Sequence, residues 1–137
     1  MRGTYALLIE VKNKTNVQIG KLGEFYFPRG FYIYVGSGQN NLEKRIKRHL
    51  RENKKIFWHI DYLLKNPKVE IREVWVKKGI RWECQLARKI AASSQFKTII
   101  SGFGSSDCKC ESHLFFVLKP GIEKDFFSRY NFIKYSS

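Results

Sequence analysis

Residues 31–49 limit most strongly what this chain can fold into. The β-branched and aromatic run 31–35 stops at a Gly-Ser-Gly sequence, and a basic stretch begins after residues 39–41. Because side chains alternate along a strand, Tyr32 and Tyr34 are expected on one face and the aliphatic residues on the other. The segment therefore predicts a strand, a glycine turn and a helix, in that order.

The basic stretch has the spacing of an amphipathic helix, which we predict over residues 40–52. Its apolar positions are expected to face the core: Leu42, Ile46 and Leu50. A neighbouring face carries Arg45, Arg48 and His49. Two guanidiniums and an imidazole beside a strand tyrosine indicate a site that could hold a phosphodiester.

The rest of the chain predicts a single α+β domain over residues 1–137, because this length builds one core and not two. Strands are predicted at 5–11, 17–20, 31–35, 69–77 and 114–118. Helices are predicted at 40–52, 57–65 and 81–95, with a short helix or turn after Pro120. We expect a small antiparallel sheet flanked by helices, with the first strand paired to 31–35. The third helix is expected to bury Ile80, Cys84, Ala87 and Ala91.

The formal net charge of +14 indicates a nucleic-acid partner, since clustered basic charge attracts the phosphate backbone. The candidate backbone contacts are Lys44, Lys47, Arg48, Arg51, Lys54 and Lys55. The alternative is a solvated helix face on a lysine-rich protein. An anionic membrane surface is disfavoured, because the aromatic residues follow strand patterns and do not line one helical face.

Two features predict a cytoplasmic protein. No apolar run approaches the roughly 18 residues of a membrane span, and no signal-peptide pattern opens the chain. The three cysteines are odd in number, and Cys108 and Cys110 are too close in sequence to bridge without strain. We therefore expect reduced thiols, as in a reducing compartment.

Two tripeptides and one arginine carry a resemblance to a known group: Gly3-Thr4-Tyr5, Tyr34-Val35-Gly36 and Arg45. They resemble the signature of the GIY-YIG endonuclease superfamily, with Thr4 and Val35 standing where isoleucine is usual. The phrases at 58–64 and 102–114 resemble a narrower branch of small prokaryotic domains of this kind. The resemblance spans about residues 3–118. It implies a GIY-YIG-like fold and a divalent-metal-dependent endonuclease that hydrolyses DNA, in repair or processing.

The resemblance also implies roles for single residues. Tyr5 or Tyr34 would orient or deprotonate the attacking water, and Arg45 would hold the scissile phosphate. Glu83 matches, by order along the chain, the one helical glutamate that binds the divalent ion, Mg²⁺ or Mn²⁺. A phenol of ordinary pKa is a poor base at neutral pH, so a nearby cation or metal would have to lower it.

Other residues of this region have open assignments. Arg48 and His49 could bind a second phosphate oxygen or relay a proton. His59 either approaches the same cleft or stabilises the start of its helix. The asparagine that the superfamily carries late in the domain has only a weak match in Asn131.

Two further functions remain open: a catalytically silent nucleic-acid-binding domain, and an RNA-processing nuclease that uses the same site. The small size also suggests targeting by a protein partner or by dimerisation.

The segment 107–113 offers thiol and imidazole groups in an irregular pattern. Zinc sites normally pair ligands as Cys-x₂₋₄-Cys, whereas this loop supplies only Cys108, Cys110 and His113. A fourth ligand could come from Asp107 or His59. We expect instead a tight turn with the thiols as small apolar fillers and no structural zinc. An intermediate interpretation puts these residues along the edge of the cleft: Ser105, Ser106, Asp107 and His113.

Overall fold

The computed structural model describes residues 1–136. Within them the strands are β1 (Gly3–Val11), β2 (Thr15–Ile19), β3 (Gly23–Phe27), β4 (Gly30–Gly38), β5 (Val69–Lys78), β6 (Phe96–Lys97), β7 (Leu114–Val117) and β8 (Ile133–Lys134). The helices are α1 (Leu42–Leu50), α2 (His59–Leu64), α3 (Trp82–Ala92) and α4 (Ile122–Arg129).

Six strands form one sheet in the order β6-β7-β4-β1-β5-β8, while β2 and β3 form a separate hairpin. Each pair of neighbours in the six-stranded sheet is antiparallel. The α+β class and the antiparallel pairing of the first strand with β4 are confirmed. In this register Tyr5 lies opposite Gly36, and that pairing brings the two tripeptides of the sequence signature together.

The sheet is buried on both faces, and the period of two sorts its residues. On one face, called here the tyrosine face, Tyr5 and Tyr34 join a core that includes residues of α1, α2 and the β2–β3 hairpin. On the other face, Ala6, Ile33 and Val35 pack with residues of α3 and α4. The predicted separation of tyrosines from aliphatic residues is therefore confirmed.

Helix α1 buries a different third residue from the one we predicted. Leu42 and Ile46 are buried, but Leu50 is 48% exposed and His49 is 2% exposed. Seven residues bring a helix back to within about 20° of its starting direction, whereas eight overshoot it. His49 therefore continues the buried stripe, and the expectation for Leu50 is wrong.

The buried face of α3 also differs from the prediction. Leu86, Ala87 and Ile90 are buried, whereas Ala91 is exposed and Cys84 is only partly buried. Cys84 lies on the side of the helix that faces the segment between β6 and β7, where its thiol lies close to Cys108 and Cys110.

Several boundaries moved by a few residues, and three short strands were not predicted: β3, β6 and β8. Helix α2 begins at His59, because the Asp61 carboxylate accepts the backbone N–H groups of Phe57 and Trp58 just before it. Strands of two residues have too few positions to show a periodicity. None of the helices in residues 1–136 is long and apolar enough to cross a lipid bilayer.

Candidate active site

A cleft of about 590 Å³ opens on the tyrosine face, where β4 ends. One side of it comes from α1 and the residues that enter α2, and the other from the start of α3 and residues 102–113. Five of the six predicted catalytic and metal-binding residues line it: Tyr5, Tyr34, Arg45, His59 and Glu83. They are joined there by Gly36, Ser37, Phe57, Trp58, Cys84 and His113.

Tyr5 lies at the floor of the cleft and is held in place by two neighbours. A Cβ atom at Gly36 would overlap the ring and hydroxyl of Tyr5, so only glycine fits opposite this tyrosine. The Tyr5 hydroxyl and His49 Nε2 lie 2.6 Å apart and share a buried hydrogen bond. Strand register and the buried stripe of α1 thus bring together two residues 44 positions apart.

The Tyr5–His49 pair is neutral at physiological pH. Burial raises the pKa of Tyr5 well above its ordinary value, and burial lowers the pKa of His49 to about 3. Nδ1 of His49 is buried and has no hydrogen-bond partner within residues 1–136. The protein alone does not supply the lowered phenol pKa that a base at Tyr5 would need.

Tyr34 differs from Tyr5 in what its hydroxyl contacts. The two rings lie 6.4 Å apart, and Tyr34 is 7% exposed. In residues 1–136 its hydroxyl makes no hydrogen bond that would hold it, and it lines the cleft. Burial raises the pKa of Tyr34, with Glu83 raising it further and Arg45 opposing the rise. Tyr34 therefore offers a neutral hydroxyl to a bound molecule.

The indole of Trp58 lies between two arginines. The guanidinium carbons of Arg45 and Arg48 lie 4.5 and 4.4 Å from its ring centroid, within the range of cation–π contacts. Arg45 lines the cleft, and no carboxylate lies within salt-bridge distance of it in residues 1–136. It is the arginine that is available to an anion.

Arg48 is committed inside the protein. Two of its nitrogens donate to the two oxygens of Asp61 at 3.0 Å each, and one also donates to the Lys55 carbonyl at 2.8 Å. Asp61 is fully buried. Although burial opposes its ionisation, the hydrogen bonds from Arg48 and from two backbone N–H groups lower the pKa of Asp61. The structure therefore gives Arg48 a bridging role between α1 and α2, instead of a free phosphate contact.

The other basic residues predicted to contact nucleic acid also fall into two groups, one bound within the protein and one exposed. Lys54 donates to the carbonyl oxygens of Arg48, His49 and Arg51 at 2.6–3.3 Å, so its ammonium caps the end of α1. The remaining candidates are exposed: Lys44, Lys47, Arg51 and Lys55. Three of them line a groove of about 800 Å³ that shares Arg45 and Trp58 with the cleft: Lys44, Lys47 and Arg51.

Glu83 enters the cleft from the first turn of α3. Its Oε1 accepts a hydrogen bond from Ser37 at 2.6 Å, and its Oε2 lies 3.1 Å from His113 Nδ1. Although burial opposes ionisation, His113 and Ser37 together hold the pKa of Glu83 below its ordinary value. The carboxylate is therefore ionised, and each oxygen keeps a second lone pair that can face a ligand.

Beside Glu83 lies a cluster of three thiols and one imidazole. The ligand atoms of Cys84, Cys108, Cys110 and His113 all lie within 4.8 Å of one another. All three cysteines are free thiols. This set can hold a metal ion. The two fourth ligands considered from the sequence, Asp107 and His59, are wrong, because Cys84 from α3 takes that place.

His59 reaches the cleft and also braces its wall. Its Nδ1 accepts the backbone N–H of Gly104 at 2.9 Å. Gly104 has a φ of +67°, and a Cβ atom there would come within 3.0 Å of the Tyr34 ring. Of the four residues predicted along the edge of the cleft, Ser106, Asp107 and His113 line it, whereas Ser105 is buried and does not. Asn131 lines a separate cavity beside α4 and does not reach this cleft.

Sequence reasoning missed the parts played by Ser37, Trp58 and Cys84. Ser37 sits in the glycine turn after β4, where a hydroxyl near the proposed site could have been considered. Trp58 had a signal too, because a lone indole beside a cluster of arginines is a common cation–π partner. Cys84 lies more than 20 residues before the loop cysteines, and nothing local connects it to them.

A family model described as domain of unknown function DUF123 matches residues 4–131. The chain belongs to this family. The description assigns no activity to its members. No curated protein and no solved structure matches the chain significantly.

Proposed function

We propose that the protein is a divalent-metal-dependent endonuclease of the GIY-YIG type that cleaves DNA in the cytoplasm. The observation that carries the proposal is that one cleft holds the ionised Glu83 carboxylate, the Arg45 guanidinium and the free hydroxyl of Tyr34. The charges of Glu83 and Arg45 act on Tyr34 in opposite directions. Cleaving a phosphodiester needs positive charge on the phosphoryl oxygens and an oriented water molecule. These groups are suited to both tasks.

Each residue has a separate part in this proposal. Arg45 binds the phosphate, because its fork can donate two parallel hydrogen bonds to phosphate oxygens. Tyr34 orients the attacking water through its free hydroxyl. Tyr5 supports the floor of the cleft through its hydrogen bond to His49. Because burial keeps His49 uncharged, the positive charge on the phosphate would come from Arg45 and not from this imidazole.

The donor set of the cleft fits a hard divalent ion bound by few protein ligands. Glu83 is ionised and opens to the cleft, with 27% of its side chain exposed. Mg²⁺ is commonly held by one or two carboxylates and keeps several waters or phosphate oxygens. Such an ion would add positive charge beside the phosphate. Ser37 and His113 fix the direction in which Glu83 presents its oxygens.

The basic groove beside the cleft supports a nucleic-acid substrate. It meets the cleft at Arg45 and Trp58, so a strand lying along α1 would pass its backbone over Arg45. Exposed lysines contact phosphates without reading base sequence. This arrangement fits an enzyme that acts on the backbone, and the cleavage assay decides between DNA and RNA.

Cleavage of supercoiled, single-stranded and branched DNA tests the proposal, with a matched RNA as the fourth substrate. We expect nicking that stops when Mg²⁺ is withheld and resumes when it is added back. Glu83→Ala and Arg45→Ala should each lower the rate on the order of 10²-fold or more, as removal of a main electrostatic stabiliser does. The control is Glu24→Ala, which removes an exposed glutamate on β3 outside the cleft.

Two results would contradict the proposal. Full activity in Glu83→Ala would remove the assignment of the metal to this carboxylate. Binding of DNA without any cleavage, under every divalent ion tried, would make the domain a silent nucleic-acid-binding protein.

A further inference from the structure

The thiol cluster unites two segments that are distant in the chain. Cys84 comes from the first turn of α3, whereas Cys108, Cys110 and His113 come from the loop that enters β7.

The spacing of the donor atoms is close to that of a tetrahedral zinc site. With Zn–S and Zn–N distances of about 2.3 and 2.0–2.1 Å, a sulfur and a nitrogen on one ion lie about 3.6 Å apart. Cys108 Sγ and His113 Nε2 lie 3.5 Å apart. Two thiolates on one zinc lie about 3.8 Å apart by the same arithmetic, and all four donors are within 4.8 Å. Small side-chain movements would close the set.

The two ring nitrogens of His113 lie near the groups that a metal-bound histidine would contact, although Nδ1 makes no hydrogen bond in residues 1–136. Its Nε2 points to the thiols, while its Nδ1 lies 3.1 Å from the Glu83 carboxylate. Histidines that bind metals almost always direct the other ring nitrogen to a carboxylate or carbonyl. The backbone of His113 is fixed as well, because its N–H donates to Phe103 and its carbonyl accepts from Val35.

We propose that Cys84, Cys108, Cys110 and His113 bind one structural zinc ion. Three thiolates and an imidazole form a common closed zinc set, and such soft donors select zinc over Mg²⁺ or Mn²⁺. The expectation of no zinc rested on three ligands in the loop, and Cys84 removes that objection. Four protein donors leave no open position, so this ion serves the structure and does not take part in cleavage.

The zinc site also positions Glu83, a consequence that rests on the proposed function. His113 would be held between the ion and the carboxylate, so the loop sets the direction of Glu83 in the cleft. The His113→Cys variant separates the two roles. It keeps four zinc donors but removes the imidazole that contacts Glu83.

Elemental analysis of protein purified without chelator tests the zinc site independently of any nuclease activity. We expect about one zinc per chain in the wild type and in His113→Cys. Cys84→Ser and Cys110→Ser should each hold less than about one-third equivalent. Removal of zinc by chelator should lower Tm by about 10 °C or more, and zinc should restore it.

Cobalt substitution keeps the proposal testable if the serine variants do not fold. Wild-type protein refolded with Co²⁺ should show the intense visible bands and thiolate charge-transfer absorption of a tetrahedral site. The proposal is overturned by less than one-third equivalent of zinc with an unchanged Tm after chelation. Stoichiometric iron in place of zinc, or cobalt spectra of octahedral type, would also overturn it.

Discussion

The two walls of the cleft are held together by different means. The wall from α1 and α2, here the cationic wall, is closed by the Arg48–Asp61 ion pair and by the contact of Arg48 with the Trp58 ring. The wall from α3 and the β7 loop, here the thiol wall, brings three thiols and the His113 imidazole within 4.8 Å of one another. The first wall is joined by an ion pair within the protein, whereas the proposed zinc ion would join the two segments of the second.

This difference leaves one charged residue on each wall, Arg45 and Glu83, facing the cleft. A committed arginine and a buried aspartate fix the cationic wall, which leaves Arg45 free to bind. The thiol wall carries Glu83 at its edge, where His113 and Ser37 set the direction of the carboxylate. Each wall therefore uses one set of residues for support and a different residue for the substrate.

Replacing each of the two arginines by alanine, in separate variants, is the sharpest test of this division of roles. Arg48→Ala should destabilise the protein by about 3 kcal/mol, because it leaves the fully buried Asp61 carboxylate without its partner. Arg45→Ala should cost less than about 1 kcal/mol, the usual size of a partly exposed cation–π contact. Urea denaturation of both variants measures the difference.

The cleavage rate should reverse that order, with Arg45→Ala the more severe at a temperature where both variants are folded. Equal losses of stability in the two variants would mean that Arg48 does not brace the cationic wall. The ion pair would then contribute no more to the free energy of unfolding than a solvent-exposed pair does.

A smaller effect is expected at the rim of the cationic wall. Phe57 is 77% exposed, lines the cleft and packs edge-on against Trp58 at 5.2 Å. An exposed aromatic ring beside a basic groove can stack on an unpaired base. Phe57→Ala should therefore weaken binding of single-stranded DNA by about 1–3 kcal/mol, measured by fluorescence anisotropy. Duplex DNA should bind as before.

Leu50→Ala is the matched control, since Leu50 is also an exposed apolar residue of this region, at 48%. The same loss in both variants would point to general surface hydrophobicity. No loss in Phe57→Ala would exclude stacking at this ring.

The smallest effects separate free cations from structural ones. Substituting one of the exposed residues Lys44, Lys47, Arg51 or Lys55 by alanine should lower the slope of log K against log salt by about 0.9 on duplex DNA. Lys54→Met should leave the slope unchanged, because its ammonium is bound to three carbonyl oxygens. A lower slope for Lys54→Met, with no change for the exposed residues, would contradict the assignment.

The features that could be predicted from the sequence are local ones. The strand β4, its glycine turn and the capped start of α1 follow one another within about 20 residues, so periodicity and turn chemistry identify them. Asn41 caps α1, because its side-chain oxygen accepts a 3.0 Å hydrogen bond from the Lys44 backbone N–H. The antiparallel pairing of β1 with β4 followed from the same segment.

What escaped prediction depends on contacts between distant residues. The bond between Tyr5 and His49 needs the sheet register and the correct buried stripe of α1, which the sequence pattern placed at Leu50. The commitment of Arg48 to Asp61 needs the packing of α2 against α1. Cys84 was given to an apolar helix face, because helical periodicity cannot show that a loop of distant sequence packs beside that position.

In the proposed function, Arg45 and a divalent ion bound by Glu83 would hold a phosphate between the two walls. Anomalous diffraction from crystals grown with Mn²⁺ and an uncleavable oligonucleotide tests it most directly. We predict a manganese peak within coordination distance of the Glu83 carboxylate and a phosphate between that peak and Arg45, distinct from any zinc peak at the thiols. Manganese bound only at sites away from Glu83, or a phosphate bound away from Arg45, would contradict the proposed function.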